Sequence, residues 1–263
     1  MPLSLLILVA AIQGLTEFLP VSSSGHLVLI PIVTDFAYQG RVIDVAAHVG
    51  TLVAVAIYLR IEIIAIAAAL IRSGRNDAVN ARLGIMLILA TIPVIIAGYI
   101  VNYANWHWLD MVYSLAFANL IFAVILWFSD KAPATRRDLG QIGLPHALII
   151  GIVQICALIP GASRSGVTMS AARFLGYDRV TAARFSLLLS LPTIAGAGLL
   201  KTLDLVKSGD ATLGADAIIV AVLSAGLAWL AIRWMMRWFA TAGFGIFVYY
   251  RLLVGRYSLI YRN

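Results

Sequence analysis

The chain has 263 residues, of which 62% are hydrophobic and 12% charged, with a mean hydropathy of +0.97, whereas an ordinary soluble domain is about 25% charged. No stretch is polar enough to fold outside a bilayer, which excludes a soluble domain and predicts a single all-α integral membrane domain over 1–263. The net charge of +7 lies mainly in short loops between apolar runs, as membrane topology requires, so we expect no nucleic-acid partner.

The opening MPLSLLILVAAI superficially suggests a signal peptide. It has no basic leading region, and Gln13 and Glu17 stand where a small-residue cleavage site would fall, so we read it as retained. A spanning helix needs about 20 mostly apolar residues. Leu3 to Ile12 and Leu27 to Val33 are too short, and both abut the polar stretch QGLTEFLPVSSSGH, Gln13 to His26. Val45 to Ile71 reads as one span, its only charges being Arg60 and Glu62, and Leu83 to Val101 and Met111 to Phe128 follow. Leu144 to Ile159 and Val167 to Leu175 are again too short and flank a second polar stretch, PGASRSGVTMS, Pro160 to Ser170. Cys156, in the first of these runs, is the only cysteine and has no partner for an internal disulfide. Phe185 to Leu200, Ala217 to Ile232 and Phe239 to Val254, the last carrying Arg251, complete about six transmembrane helices.

Short apolar helices on either side of a Gly/Pro/Ser break predict two re-entrant helical hairpins, which a membrane tolerates only when they are buried in protein or line a wet cavity. The two breaks also match each other. Gln13 to Gly25 and Gln154 to Gly166 are equally spaced, and each interval holds a proline followed by small hydroxyl residues. Interrupted segments at corresponding places are the sequence mark of repeats that build a site near the midplane, here approximately 1–130 and 140–263. The loops at Arg72 to Arg82, Lys131 to Arg137, Arg173 to Arg184 and Arg233 to Arg237 are basic, while Asn102 to Asp110 and Lys201 to Asp216 are not. With the basic loops cytoplasmic, both termini lie outside and the repeats are inverted, so the hairpins enter from opposite faces and their tips meet. Arg251, Arg256 and Arg262 run against this scheme, since it places them outside.

A carboxylate, a histidine, an arginine and a crowd of hydroxyls at membrane depth are expensive and mark a functional site. In the second stretch Gly161, Ser163, Arg164, Ser165 and Thr168 combine a tight backbone, one cation and three hydroxyls just before an apolar helix. Helix N-terminal N–H groups and a guanidinium together suit a phosphate. In the first stretch Gln13 and Glu17 share a helix face, and Pro20 then ends the helix ahead of Ser22, Ser23, Ser24 and His26. Glu17 suits a divalent cation, a general base or a partner for Arg164; a serine or histidine beside a carboxylate suits attack on phosphorus. His48, in DVAAHVG, reads first as a satisfied helical histidine and second as one facing the cavity from its helix, and His107 and His146 read as interfacial. Trp106, Trp108, Trp127, Trp234 and Trp238 fall near span ends, as an aromatic belt does.

QGLTEFLPVSSSGH and PGASRSGVT resemble the two signature stretches of the undecaprenyl-diphosphatase family, also called bacitracin-resistance proteins, and the resemblance extends over essentially the whole chain. It implies an all-helical inverted-repeat fold and a bacterial cytoplasmic (inner) membrane enzyme with its site open to the outer, periplasmic face. The implied reaction removes phosphate from undecaprenyl diphosphate, a polyprenyl diphosphate lipid, so that the carrier is recycled for peptidoglycan synthesis, and it needs a divalent cation, Mg²⁺ or Ca²⁺. By resemblance Glu17 engages the metal, Ser23 and His26 are nucleophile or proton carrier in an order left open, and Arg164 with Ser163, Ser165 and Thr168 holds the diphosphate. Gln13 stands where many members have glutamate; its amide oxygen is still a competent metal ligand. A polyprenyl-phosphate transporter is the alternative that inverted repeats allow. Beyond substrate and membrane lipid, the sequence is compatible with a homo-oligomer.

Overall fold

The computed structural model describes residues 1–72, 77–104, 112–135, 138–208 and 214–260. Trp106, His107, Trp108, Arg137 and Arg262 lie outside the described residues. Among those described, eleven α-helices form: α1 (Leu3–Thr16), α2 (Ser23–Val33), α3 (Arg41–Tyr58), α4 (Arg60–Arg72), α5 (Ala78–Ala104), α6 (Val112–Asp130), α7 (Leu144–Val153), α8 (Arg164–Phe174), α9 (Arg179–Ser208), α10 (Ala215–Thr241) and α11 (Gly245–Ile260). No strand is present among the described residues. Helices α3, α5, α6, α9 and α10 each contain a stretch long and apolar enough to cross a membrane. Large aliphatic side chains stand exposed along them, among them Ile88, Ile96, Val222 and Leu230, a surface suited to lipid tails rather than to water.

Two spans differ from the sequence expectation. Val45 to Ile71 is divided at Leu59, which leaves the helical region between α3 and α4. Phe239 to Val254 straddles the end of α10 and the start of α11, a 16-residue helix. The short segments form helices as expected, but these run into the polar stretches: α1 includes Gln13 to Thr16, α2 starts at Ser23, and α8 starts at Arg164, while α7 is followed by a 3₁₀ turn over Gln154–Leu158.

Both polar stretches end in the same local device. Ser22 and Ser163 each have φ 70°, and each is the N-cap of the helix that follows. The Ser22 Oγ accepts from the Gly25 amide at 3.4 Å and the Ser163 Oγ from the Gly166 amide at 3.2 Å. Each cap satisfies an otherwise orphaned donor at a helix start. The helix before each break packs against a long helix from the other half, α1 on α10 and α7 on α5. Small residues make both crossings close: a Cβ on Gly14 would lie 2.9 Å from the Ser224 carbonyl oxygen, and one on Gly151 would lie 2.3 Å from that of Ala90. The core is mixed from both halves, Phe18, Val55, Leu126, Phe185 and Ile232 being buried in one cluster.

Candidate active site

The device at Ser22 turns the chain so that Ser23 opens α2 with its hydroxyl facing back toward α1. Ser23 Oγ donates to Glu17 Oε2 at 2.6 Å, and Gln13 Nε2, one turn earlier on α1, donates to the same oxygen at 2.8 Å. The other carboxylate oxygen, Oε1, accepts from Arg164 Nη2 at 3.1 Å. Glu17 therefore pairs with Arg164, one of the three roles its sequence context suits, while keeping a hydroxyl and an amide on its second oxygen. Arg164 also reaches the Ser186 carbonyl on α9 at 3.5 Å and lies over the Phe18 ring at 5.9 Å. These contacts hold its fork across the gap between the two polar stretches.

A cavity of about 220 Å³ opens at this junction. Its lining is polar at Glu17, Ser22, Ser23, Ser24, Ser163 and Arg164, joined by His48, Gln154 and Thr193, and apolar at Val45, Val94, Ala157, Leu158, Ile194, Ala197 and Gly198. Such a shape suits an amphipathic ligand with an anionic head and a hydrocarbon tail.

Five residues named from sequence do not line this cavity. Gly161 has φ 92°, and a Cβ there would lie 2.3 Å from the Leu115 carbonyl oxygen, so its role is to let the loop pass α6. Ser165 Oγ donates to the Leu19 carbonyl at 2.7 Å, tying the second loop to the first. Thr168 Oγ1 pairs with Ser186 Oγ at 2.7 Å, which ties α8 to α9. Gln13 is fully buried. His26 donates from Nδ1 to the Ser22 carbonyl at 2.7 Å, which leaves Nε2 to accept from the Tyr250 hydroxyl at 2.7 Å; the two rings stack at 5.5 Å. It faces α11.

The imidazole on the cavity wall is that of His48. Its Nδ1 donates to the Asp44 carbonyl at 2.7 Å, directing Nε2 toward Glu17 Oε2, 4.0 Å away. Gln154 donates from Nε2 to Thr193 Oγ1 at 3.3 Å, and Thr193 itself donates to the Leu189 carbonyl. The sequence carried a signal for Gln154, since it repeats the place of Gln13. His48 lies one element further on, and nothing in its local sequence points to Glu17. His146 bonds from Nδ1 to the Tyr177 hydroxyl at 2.7 Å, and Trp234 stacks on Trp238 at 5.5 Å while Trp127 lies under the Lys131 ammonium.

No group of three or more His, Cys, Asp or Glu side chains that could hold a metal forms among the described residues. A hard cation that keeps its waters and shares a phosphate needs only one or two protein oxygens. Glu17 is one such donor. The Gln13 Oε1 is buried without a hydrogen-bond partner, and a bare amide oxygen of that kind fits a hard cation. Glu17 lines the cavity and fits a cation carried in with a phosphate ligand; the Gln13 oxygen stands off the lining, on the side chain hydrogen-bonded to Glu17.

The sequence profile described as bacitracin resistance protein BacA matches residues 6–257. Relatives named undecaprenyl-diphosphatase include one from Dinoroseobacter shibae, 46% identical over 259 residues, and one from Roseobacter denitrificans, 43% identical over 261; each alignment covers 97% of both chains. A third, from Ruegeria pomeroyi, is 44% identical over 253 residues, 95% of each. With two polar stretches joined in one cavity and similarity along nearly its full length, the chain belongs to the bacitracin resistance protein BacA family.

Proposed function

We propose that this protein is an undecaprenyl-diphosphate phosphatase, removing the terminal phosphate of the lipid diphosphate to give undecaprenyl phosphate and inorganic phosphate for carrier recycling in cell-wall synthesis. The observation that carries this reading is the convergence of Glu17, Ser23 and Arg164 on one cavity with a partly apolar lining. The diphosphate head lies against the polar lining residues, its charge met by the Arg164 fork, and the isoprenoid tail leaves past Val94, Ile194 and Ala197. Positioning and charge stabilisation of this kind dominate phosphoryl transfer.

Ser23 Oγ attacks the terminal phosphorus; a P–O bond forms to Oγ, the bond to the bridging oxygen breaks, and undecaprenyl phosphate departs. The Ser23 proton passes to Glu17 Oε2, to which it is already hydrogen-bonded. Glu17 returns that proton to the bridging oxygen of the departing undecaprenyl phosphate; water then attacks the phosphoserine, the restored carboxylate takes a water proton and hands it to Ser23 Oγ as the P–Oγ bond breaks, and Ser23 is regenerated as phosphate leaves. Of the two nucleophiles the sequence offered, Ser23 is favoured because it lines the cavity, whereas His26 Nε2 is engaged by Tyr250. Glu17 and the Gln13 amide oxygen would hold Mg²⁺ or Ca²⁺, which when bound offsets phosphate charge.

The short helix pairs around the two breaks are read as re-entrant hairpins of inverted repeats, approximately 1–130 and 140–263. The twin caps at Ser22 and Ser163 and the exchanged packing of α1 and α7 support this. The protein sits in the bacterial inner membrane with its site open to the periplasmic face, in keeping with the basic loops assigned to the cytoplasm. The transporter alternative gains no support from the relatives' names. Phosphate release from undecaprenyl diphosphate by purified protein in detergent tests the assignment. Release without a sealed bilayer is expected; lipid translocation in vesicles with no release in detergent would overturn it.

A further inference from the structure

Among the described residues Arg251 is the largest fully buried side chain, and no carboxylate pairs with it. Its guanidinium is spent on backbone. Nη1 donates to the Pro20 carbonyl at 3.3 Å, Nη2 to the Gly161 carbonyl at 2.7 Å and Nε to the Asn119 carbonyl of α6 at 3.3 Å. Pro20 lies two residues before the Ser22 cap, and Gly161 two residues before the Ser163 cap. One planar fork thus bridges equivalent points of the two loops, immediately ahead of Ser23 and Arg164. Its neighbour Tyr250 acts on the first loop as well, through His26 to the Ser22 carbonyl.

We infer that Tyr250 and Arg251 of α11 are positioning residues, a brace that sets the register of the Ser23 loop against the Arg164 loop; this rests on the phosphatase reading above. An uncompensated cation buried among three carbonyls is costly to keep, and a planar fork fixes directions that an ammonium does not. Neither side chain lines the cavity, so substrate does not touch them and they act through the loops. His26 belongs to the same brace, transmitting the Tyr250 hydroxyl to the loop.

Arg251→Lys keeps the charge and loses the fork. With undecaprenyl diphosphate in detergent, kcat is expected to fall by about 10- to 100-fold while KM stays within about twofold, since a misplacement of about 1 Å at reacting groups has that cost. Thermal unfolding confirms that the variant is folded. A folded Arg251→Lys protein with the wild-type kcat overturns the inference, as does a loss confined to KM. Should that variant fail to fold, Tyr250→Phe decides, since it removes one hydroxyl: a lower kcat at unchanged KM supports the brace, and wild-type kinetics overturn it. A wild-type protein that releases no phosphate would instead strike the phosphatase reading itself.

Discussion

Glu17 and Arg164 are 147 residues apart in the chain and 3.1 Å apart in space, Nη2 of one donating to Oε1 of the other. The pair joins the two polar loops, and both side chains are largely shielded. Removing one partner of a buried pair leaves the other charge uncompensated, which costs about 3–5 kcal/mol. Arg164→Ala and Glu17→Ala are each expected to lower kcat/KM by at least about 100-fold, and the double variant to lose little more than the worse single one, because paired groups are not additive. Steady-state phosphate release from the four proteins measures the coupling; strictly multiplicative losses would contradict a joint role.

The Gln13 amide oxygen and Glu17 bear on the cation. Gln13→Glu adds a second carboxylate beside Glu17 and is expected to lower the Mg²⁺ concentration for half-maximal activity by about tenfold, a gain of about 1.4 kcal/mol in binding. Chelator treatment is expected to abolish phosphate release, and Mg²⁺ to restore it. Unchanged Mg²⁺ dependence in Gln13→Glu would remove Gln13 from the metal site.

Ser22 and Ser163 combine a left-handed backbone with a capping hydroxyl. Replacing such a cap by Ala costs about 0.5–2 kcal/mol, and by Gly only a few tenths, because glycine also accepts positive φ. For each site thermal unfolding is expected to rank Ser above Gly above Ala. Ala equal to Gly would show that backbone strain adds nothing there.

Close packing of α3 on α10 makes a sharper stability contrast. A Cβ on Gly50 would lie 2.1 Å from the Ala221 carbonyl oxygen, whereas one on Gly226 meets nothing within 4 Å. Gly50→Ala is expected to destabilise by about 3 kcal/mol through overpacking, and Gly226→Ala to stabilise by about 0.5–1 kcal/mol through helix propensity. Unfolding midpoints in one detergent compare the two directly.

The two polar stretches were legible because their cost at membrane depth made them stand out from an apolar chain. Their equal spacing, read as a repeat, is matched by the caps at Ser22 and Ser163, which stand at corresponding places. Other features depend on partners far along the chain. Arg251 reads in sequence as a charge near the end of a span, and only the carbonyls of Pro20, Asn119 and Gly161 reveal it as an interior group rather than a topology signal. His48 takes the second of its two sequence readings, because α3 carries it to the cavity, while α11 offers Tyr250 to His26, which leaves His26 off the lining. The division at Leu59 was marked by Arg60 and Glu62, and Glu62 is the partner of Arg184 on α9, at 2.5 Å. A pair of charges inside an apolar run signals a break as readily as a tolerated exception.

In the proposed mechanism the two loops form one phosphatase site, with Ser23 from the first attacking a phosphate held by Arg164 of the second. Its most direct measurement is phosphate release from undecaprenyl diphosphate in detergent by the wild-type protein, Ser23→Ala and Arg164→Ala, with folding checked by thermal unfolding. The wild type is expected to turn over, and each folded variant to lose at least about 100-fold in kcat. Wild-type turnover by either folded variant would contradict the account.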